Sequence, residues 1–461
     1  RGRMSGAEEA RASQSEGIDE AAVAGLANAV GRADREAVLE WLAPLHPADQ
    51  AALLHALSYD ERRQAVALGA EVLEPETLNW LDGDVRDEVV DALGPKAAAA
   101  ALSELESDDA VEIIEDLAEE DRTAILLEMG PAERAQVEQA LSYPEYTAAR
   151  LVKRDNVVVP DFWTVGQTID YCRDHGESLP EEFWDILIVD PKMRPVGQVH
   201  VAEVLRSRRD VTMRSLRLKE QVLIEAITDQ EEVARIFRRH GLNSAPVVDA
   251  AGRLMGVVTL DDILEVVEEE AEDDLLRLGG VIDSDRYAGA WRTTLNRLPW
   301  LAINIVTALI ASMVIGRFEE SIDKLTALAV LMPMVASMGG NAATQALTVT
   351  VRALAVGGLG RREAWRLLAK EGLVGLLNGS AFFVIAVATA FLWFWQGELA
   401  LVFGIAMFLN LVVAGVVGAA IPIGLNRLKL DPAIASTAFV TTTTDVVGFL
   451  TFLGLATILL L

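Results

Sequence analysis

Five long apolar stretches in the last third of the chain constrain it more than any other feature of its 461 residues. They lie near 298–316, 325–351, 372–395, 399–425 and 433–461. A helix needs about 20 apolar residues to cross a hydrocarbon core of ~30 Å, and each stretch reaches or approaches that length. Backbone in lipid must satisfy its own polar groups, so each stretch predicts a spanning helix. Trp300, Trp393 and Trp395 fall near the proposed ends, where interfacial aromatics collect.

Charge divides the chain at the same place. Residues 297–461 hold 8 Asp/Glu and 10 Lys/Arg, which leaves 61 acidic and 30 basic residues of the totals of 69 and 40 in 1–296. The front part is therefore −31 and the apolar part +2. So acidic a front end argues against a nucleic-acid partner, because phosphate contacts require clustered Lys and Arg. The single cysteine, Cys172, excludes a disulfide scaffold and reads as a small buried apolar side chain. The first 40 residues are Ala- and Glu-rich with no apolar signal region, so the amino-terminal part is expected in the cytoplasm.

The short connections set an expected topology. The second, 352–371, carries Arg352, Arg361, Arg362, Arg366 and Lys370, the third carries no basic residue, and the fourth carries Arg427 and Lys429. Positive charge stays inside, so the second and fourth connections and the amino terminus are expected in the cytoplasm and Leu461 outside.

Ahead of the membrane part, residues 1–20 read as a disordered start. From 21 to 145, helix starts recur with an acid or a proline at the head, as in His46-Pro47, Glu74-Pro75, Gly94-Pro95, Ser107-Asp108-Asp109 and Gly130-Pro131. Proline suits a first helical turn, and apolar residues follow at three- and four-residue steps. A small helical superhelix is the reading. Residues 146–261 hold two copies of one α/β unit. Asp185–Asp190 with Pro195–Val199 forms one predicted hairpin, and Ala245–Asp249 with Leu254–Thr259 forms the other. An acidic helix follows over 262–296, with Gly279-Gly280 expected to end or kink it. The transmembrane part is 297–461.

Three constellations carry chemistry. Asp445, in Thr441-Thr442-Thr443-Thr444-Asp445, is the only ionisable residue well inside a proposed span. A carboxylate at that depth costs a few kcal/mol or more unless it meets water or a partner. The readings are an ion path, a proton relay, or a protonated carboxyl bonded to another helix. The threonines add hydroxyls and, if the helix unwinds, carbonyls, a hard-oxygen set that suits Mg²⁺. The second span carries Pro333 and Gly339-Gly340-Asn341 with Thr344 and Gln345, which either interrupts the helix along a cavity or packs it tightly. Finally, Asp261, Asp262, Glu265, Glu268, Glu269, Glu270, Glu272, Asp273 and Asp274 crowd about four turns and repel one another. They form either a solvated face or a gauge of divalent ions.

These residues resemble the MgtE family of magnesium channels. The likeness is carried by Pro333 with Gly339-Gly340-Asn341 and Gln345, and by Thr444-Asp445-Val446-Val447-Gly448. It extends to Asp229–Ala234, Pro246–Asp249, Gly256–Asp262 and the acidic helix to Gly279. The resemblance implies an all-α superhelical N domain, α/β tandem cystathionine-β-synthase-type (CBS) modules, a connecting helix and a five-helix transmembrane domain. It implies a homodimer in the plasma membrane with an ion path on the dimer axis. Asp445, with Asn341 and Thr441, would meet a hydrated Mg²⁺. Cytosolic Mg²⁺ would close the pore by binding Asp262, Glu265, Glu270 and Asp273 together with Asp108 and Glu112 of the N domain.

This sequence also departs from the family pattern. Thr344 stands where many relatives carry Asn, and Gly241 where a sensing acid can stand. Gly197–Glu203 lacks the Thr/Ser-x-x-Asp that holds a nucleotide ribose, which counts against ATP at the CBS pair. No P-loop is present, so a passive Mg²⁺ channel rather than an enzyme or ATP-driven pump is expected. The alternative is a cation:proton or cation:sodium exchanger using Asp445; a membrane-anchored regulatory scaffold ranks last, because an anchor has no need of a carboxylate in mid-span.

Overall fold

The computed structural model describes residues 20–176, 179–180, 183–217, 221–281, 290–357, 359–430 and 432–461. The disordered start expected over 1–20 lies outside the described residues except for Glu20, which opens the first helix. The chain divides into two compact units, Arg1–Glu268 and Glu269–Leu461.

The first unit begins with α1 (Glu20–Gly31), α2 (Arg35–Leu42), α3 (Pro47–Ala56) and α4 (Tyr59–Gly69), followed by a 3₁₀ helix at Pro75–Trp80. Then come α5 (Gly83–Glu104), α6 (Ser107–Asp116), α7 (Glu119–Glu128) and α8 (Pro131–Leu141). Local chemistry starts these helices. Pro47 and Pro131 occupy first turns, the Asp34 carboxylate accepts the Ala37 amide, and Ser58 with Glu61 forms a capping box. Gly94, at φ 75, kinks α5 just before Pro95, so two helical pieces meet there. Leu26, Val38, Leu54, Val89, Ile113 and Ile125 are buried in one continuous core.

An α/β region follows: β1 (Val158–Pro160), α9 (Val165–Asp174), β2 (Asp185–Val189), β3 (Pro195–His200), α10 (Val201–Arg206) and α11 (Met213–Leu216). It is echoed by β4 (Ile224–Glu225), α12 (Gln230–His240), β5 (Ser244–Val248) and β6 (Leu254–Thr259). The sheets have orders β1-β2-β3 and β4-β5-β6. In each the first pair is parallel and the second antiparallel, with a register shift at the end of the middle strand. The expected repeat is therefore an exact topological one. Asp185↔His200 in the first hairpin occupies the register position of Ser244↔Thr259 in the second.

The acidic helix α13 (Leu260–Leu278) stops at Gly280, whose φ of 73 is left-handed, while Val281 N–H donates to Leu276 O at 2.9 Å. Of the expected continuation to 296, residues 282–289 lie outside the described residues.

The second unit contains α14 (Ala290–Gly316), α15 (Glu319–Lys324), α16 (Ala327–Gly357), α17 (Arg361–Phe394), α18 (Gly397–Arg427) and α19 (Pro432–Leu459). All but α15 are long and apolar enough to cross a membrane. The most deeply packed is α18, with Phe403 edge-on to Phe452 of α19 at 5.7 Å between ring centroids.

Two expectations need correction. The helix that carries the third apolar stretch starts at Arg361, ahead of residue 372, so Arg361, Arg362, Arg366 and Lys370 lie in the helix and not in a loop. That helix also takes in the buried Glu371, beside Lys370 at 3.8 Å. At about 1.5 Å per residue, Glu371 stands roughly 35 Å from the far end of α17, at the edge of a ~30 Å core. Second, neither Pro333 nor the threonine run breaks its helix: α16 and α19 are both unbroken.

Candidate functional site

Asp445 lies in the membrane-spanning part of α19, Thr437–Leu459. That is about 12 Å from one end of the span and about 21 Å from the other at roughly 1.5 Å per residue. Its side chain is partly exposed, and among the described residues it has no ion-pair or hydrogen-bond partner. The preceding threonines do not present carbonyls, because their helix is intact. Instead Thr442 and Thr443 donate back to Ala438 O and Phe439 O at 2.6 and 2.7 Å, and Thr444 donates to Thr441 O at 2.9 Å. A hydroxyl that donates backwards keeps its oxygen lone pairs available to a cation or its water shell.

Against this helix packs α16. Gly340 faces Thr441: a Cβ built on Gly340 would stand 3.9 Å from the Thr441 methyl carbon. Asn341, the next residue, is exposed and lines a groove of about 430 Å³ with Thr344, Gln345 and Asn378. Asn341 and Thr441 therefore lie on neighbouring helices but not in one hydrogen-bonded set with Asp445.

What fixes the two helices against each other is Asn410 of α18, which is fully buried. Its amide donates to Val335 O of α16 at 2.9 Å. A Cβ on Gly339 would stand 2.2 Å from that amide nitrogen, and one on Gly448 of α19 2.7 Å. The paired glycines thus make room for one buried amide wedged between α16 and α19. Such small-residue seats with a polar anchor hold membrane helices together, since lipid offers no hydrophobic drive between them. Asn410 was visible as a lone amide in the fourth apolar stretch, yet nothing in sequence marks its partners.

In the first unit, α6 brings its acids to the corner where β6 enters α13. Asp108, Asp109 and Glu112 lie on α6, and Asp262 and Glu265 on α13. Glu112 and Glu265 offer carboxylate oxygens within 4.8 Å of each other. Burial raises the Glu265 pKa, and the Glu112 charge raises it further. Arg86 partly offsets this pair, reaching Glu112 at 3.2 Å and Asp116. Burial pushes Asp109 up to about 7 against the pull of its bond from Asn79.

Asp108 and Asp262 have a different neighbour, Lys153. Its ammonium lies 2.6 Å from Asp262 Oδ1. The other oxygen of Asp262 accepts from Thr259 Oγ1 at 2.6 Å and from Thr259 N–H at 2.9 Å. Nothing in sequence flagged Lys153, because its partners are distant along the chain.

Of the remaining predicted sensing residues, Asp273 pairs with Arg277 one turn on at 2.9 Å, and Glu270 is partly buried on the same helix. In the same unit as Asp273, the Thr437 hydroxyl donates to Leu278 O at 3.3 Å, and Leu278 packs on Leu347 and Val351. The end of the acidic helix therefore touches both α19 and α16. At the first repeat's equivalent of Thr259 stands His200. Its ring turns back to Asp185, whose other oxygen accepts from Ser244 Oγ at 2.7 Å.

A divalent cation transporter family model, MgtE, matches 332–455; the MgtE intracellular N domain matches 45–146; a CBS domain matches 215–269, the second α/β repeat. The chain is 33% identical over 453 residues to the magnesium transporter MgtE of Thermus thermophilus, covering 96% of this chain and 99% of that one. It is 29% identical over 374 residues to the Bacillus subtilis magnesium transporter MgtE, at 80% and 82% coverage. A solved cytosolic domain of the Mg²⁺ channel MgtE in complex with ATP is similar over 53% of this chain and 99% of that one, at 28% identity and a TM-score of 0.48.

Proposed function

Because the chain belongs to the MgtE family of divalent cation transporters, a multi-pass membrane family and not an enzyme class, we propose that it is a Mg²⁺ channel closed by cytosolic Mg²⁺. The observation that carries the reading is Asp445: a partly exposed carboxylate, deep in an apolar helix, without a countercharge among the described residues. Such a group is costly unless it meets water or a cation. Mg²⁺ gives up its water reluctantly, so one carboxylate and a row of hydroxyl oxygens suit the hydrated ion better than a dry cage. Asn341 and Thr441 line the same path, and a second copy of the chain completes it around the dimer axis.

Our reading of the parts is an N domain over 21–145, tandem CBS modules over 146–261, a connecting segment over 262–296 whose described helix ends at Leu278, and the transmembrane domain over 297–461. The amino terminus is cytoplasmic and Leu461 is outside, since Arg361, Arg362, Arg366 and Lys370 at the head of α17 and Arg427 and Lys429 after α18 belong on the inner face. Closure works through α13. Mg²⁺ bridging Glu112 and Glu265 removes their repulsion, and the far end of α13 bears on α19 through Leu278 and Thr437. Glu270 and Asp273 supply further acidic oxygens on that helix. The residues present at the Glu112–Glu265 pair fit a hard cation, being two close carboxylates with exposed sides. Those at Asp108 and Asp262 do not, because an ammonium already stands there. ATP has a poor seat: both oxygens of Asp262 are engaged by Lys153 and Thr259, and the first repeat has His200 and Glu203 instead.

Mg²⁺ flux into proteoliposomes tests the reading. Asp445→Ala abolishes uptake while the protein still assembles; normal uptake by that variant removes the assigned role. Imposing pH or Na⁺ gradients at fixed voltage separates a channel from an exchanger, since only the latter's flux follows those gradients.

A further inference from the structure

Three carboxylates close on one ammonium where α6 meets the β6–α13 corner. Lys153 Nζ lies 2.6 Å from Glu106 Oε2, 2.7 Å from Asp261 Oδ2 and 2.6 Å from Asp262 Oδ1. The ammonium donates a hydrogen bond to Asp261 Oδ2 and lies in ion-pair contact with Glu106 and Asp262. A fourth acid, Asp108, is only 8% exposed and is close enough for its charge to act on Lys153. Its Oδ1 is fully buried with no hydrogen-bond partner among the described residues.

The backbone holds Lys153 in position. It exchanges N–H···O bonds with Val257 at 2.8 and 2.9 Å. Gly256 permits this approach, since a Cβ there would stand 2.3 Å from Lys153 O. On either side, Ser107 Oγ of α6 donates to Val152 O and accepts from Arg154 N–H, both at 3.1 Å. Lys153 is 11% exposed, so its position is built and not incidental.

The electrostatics agree with the geometry. Burial alone would lower the Lys153 pKa, but Asp108 and Asp262 lead the carboxylates that carry it above the usual lysine range. Asp108 shifts well upward, through burial first and then the Asp262 and Asp109 charges. Left without Lys153, the buried Asp108 and Asp262 would face one another in a poorly solvated corner, with the exposed Glu106 and Asp261 at its rim.

We propose that Lys153 is the resident cation of this interface, a tethered ammonium occupying the place among Glu106, Asp108, Asp261 and Asp262 that a divalent ion would otherwise fill. Docking of α6 on the β6–α13 corner is then independent of metal. Divalent sensing is displaced to the neighbouring Glu112–Glu265 pair, a consequence that rests on the gating reading above. The occupancy itself does not rest on it.

The test uses the full chain in detergent with Mn²⁺ as probe, counted by equilibrium dialysis and by its electron paramagnetic resonance signal. Wild type and Lys153→Arg bind the same number of Mn²⁺ ions per chain. Lys153→Met binds one more. In EDTA, Lys153→Met loses roughly 5–10 °C of thermal midpoint, as expected when the buried Asp108 and Asp262 lose their cation, and added Mn²⁺ restores it. Asp108→Asn combined with Lys153→Met removes one repelling charge and recovers part of that loss in EDTA. Equal Mn²⁺ counts in wild type and Lys153→Met overturn the proposal. So does a double variant no more stable in EDTA than Lys153→Met, which would make Lys153 a packing residue. Because neither readout involves transport, failure of the gating reading leaves both outcomes interpretable.

Discussion

The two units handle carboxylates in opposite ways. In the second, Asp445 has no countercharge among the described residues and stands partly exposed in an apolar helix. In the first, acids are crowded and answered: Asp262 by Lys153, Glu112 by Arg86, Glu115 by Arg150 at 2.7 Å. The difference follows from what each environment charges for an ion. A lone charge in an apolar span persists where its energy is recovered on passing cations. A cluster in a half-wet corner persists where fixed cations hold most of it, leaving a small excess that a mobile ion can satisfy. The lesson is that net charge alone, −31 over 1–296 and +2 over 297–461, does not locate the working acid.

The largest effect expected is at the unpaired end of this contrast. Asp445→Asn keeps shape and removes charge, and Mg²⁺ uptake should fall by about a hundred-fold or more in proteoliposomes. Uptake within a few-fold of wild type would mean that the pore does not need the charge.

Next comes the seat that aligns the pore helices. Gly339→Ala places a methyl on the Asn410 amide, and transport should drop about ten-fold with assembly retained, because buried small-residue contacts tolerate little growth. Combining it with Asn410→Ala removes the obstruction and should recover a good part of the loss. A double variant no better than the single would show that Asn410 is not what Gly339 makes room for.

On the answered side, Glu112→Gln with Glu265→Gln should raise the Mg²⁺ concentration that half-closes the channel by roughly five- to ten-fold in patch recordings, while open-state conduction is unchanged. Unaltered closure would reduce the pair to a solvated surface.

The smallest effect is a titration. The Asp109 pKa is raised to about 7, so between the usual carboxylate range and neutrality the native state holds a proton that the unfolded chain does not. Stability from this group is full below about pH 4 and is lost as pH rises through about 7. In EDTA the thermal midpoint should fall by about 2–4 °C from pH 5.5 to 8, and Asp109→Asn should flatten that slope. An unchanged slope in the variant would assign it to other groups.

Much of the architecture was legible because it is periodic. Apolar runs marked the five spans, and two hairpins with matching turns marked the repeat. Asp445 was legible too, being an acid where acids are expensive. The boundary at Arg361 was missed because a helix that continues past the hydrocarbon into basic residues looks, by composition, like a loop. The expected opening at Pro333 and the threonines failed for a related reason. Hydroxyls that donate back to their own helix, and glycines seated on Asn410, satisfy the chain without unwinding it.

What the sequence by itself determined was the membrane part, the α/β repeat and the presence of one deeply placed carboxylate, since each is written in the spacing of neighbouring residues. Only the tertiary structure decided which acids carry an excess charge. Lys153 and Asp262 are 109 positions apart, and Asn410 and Val335 75. Pairing over such separations depends on how helices and strands pack, and the strength of a charge depends on the partners that packing supplies.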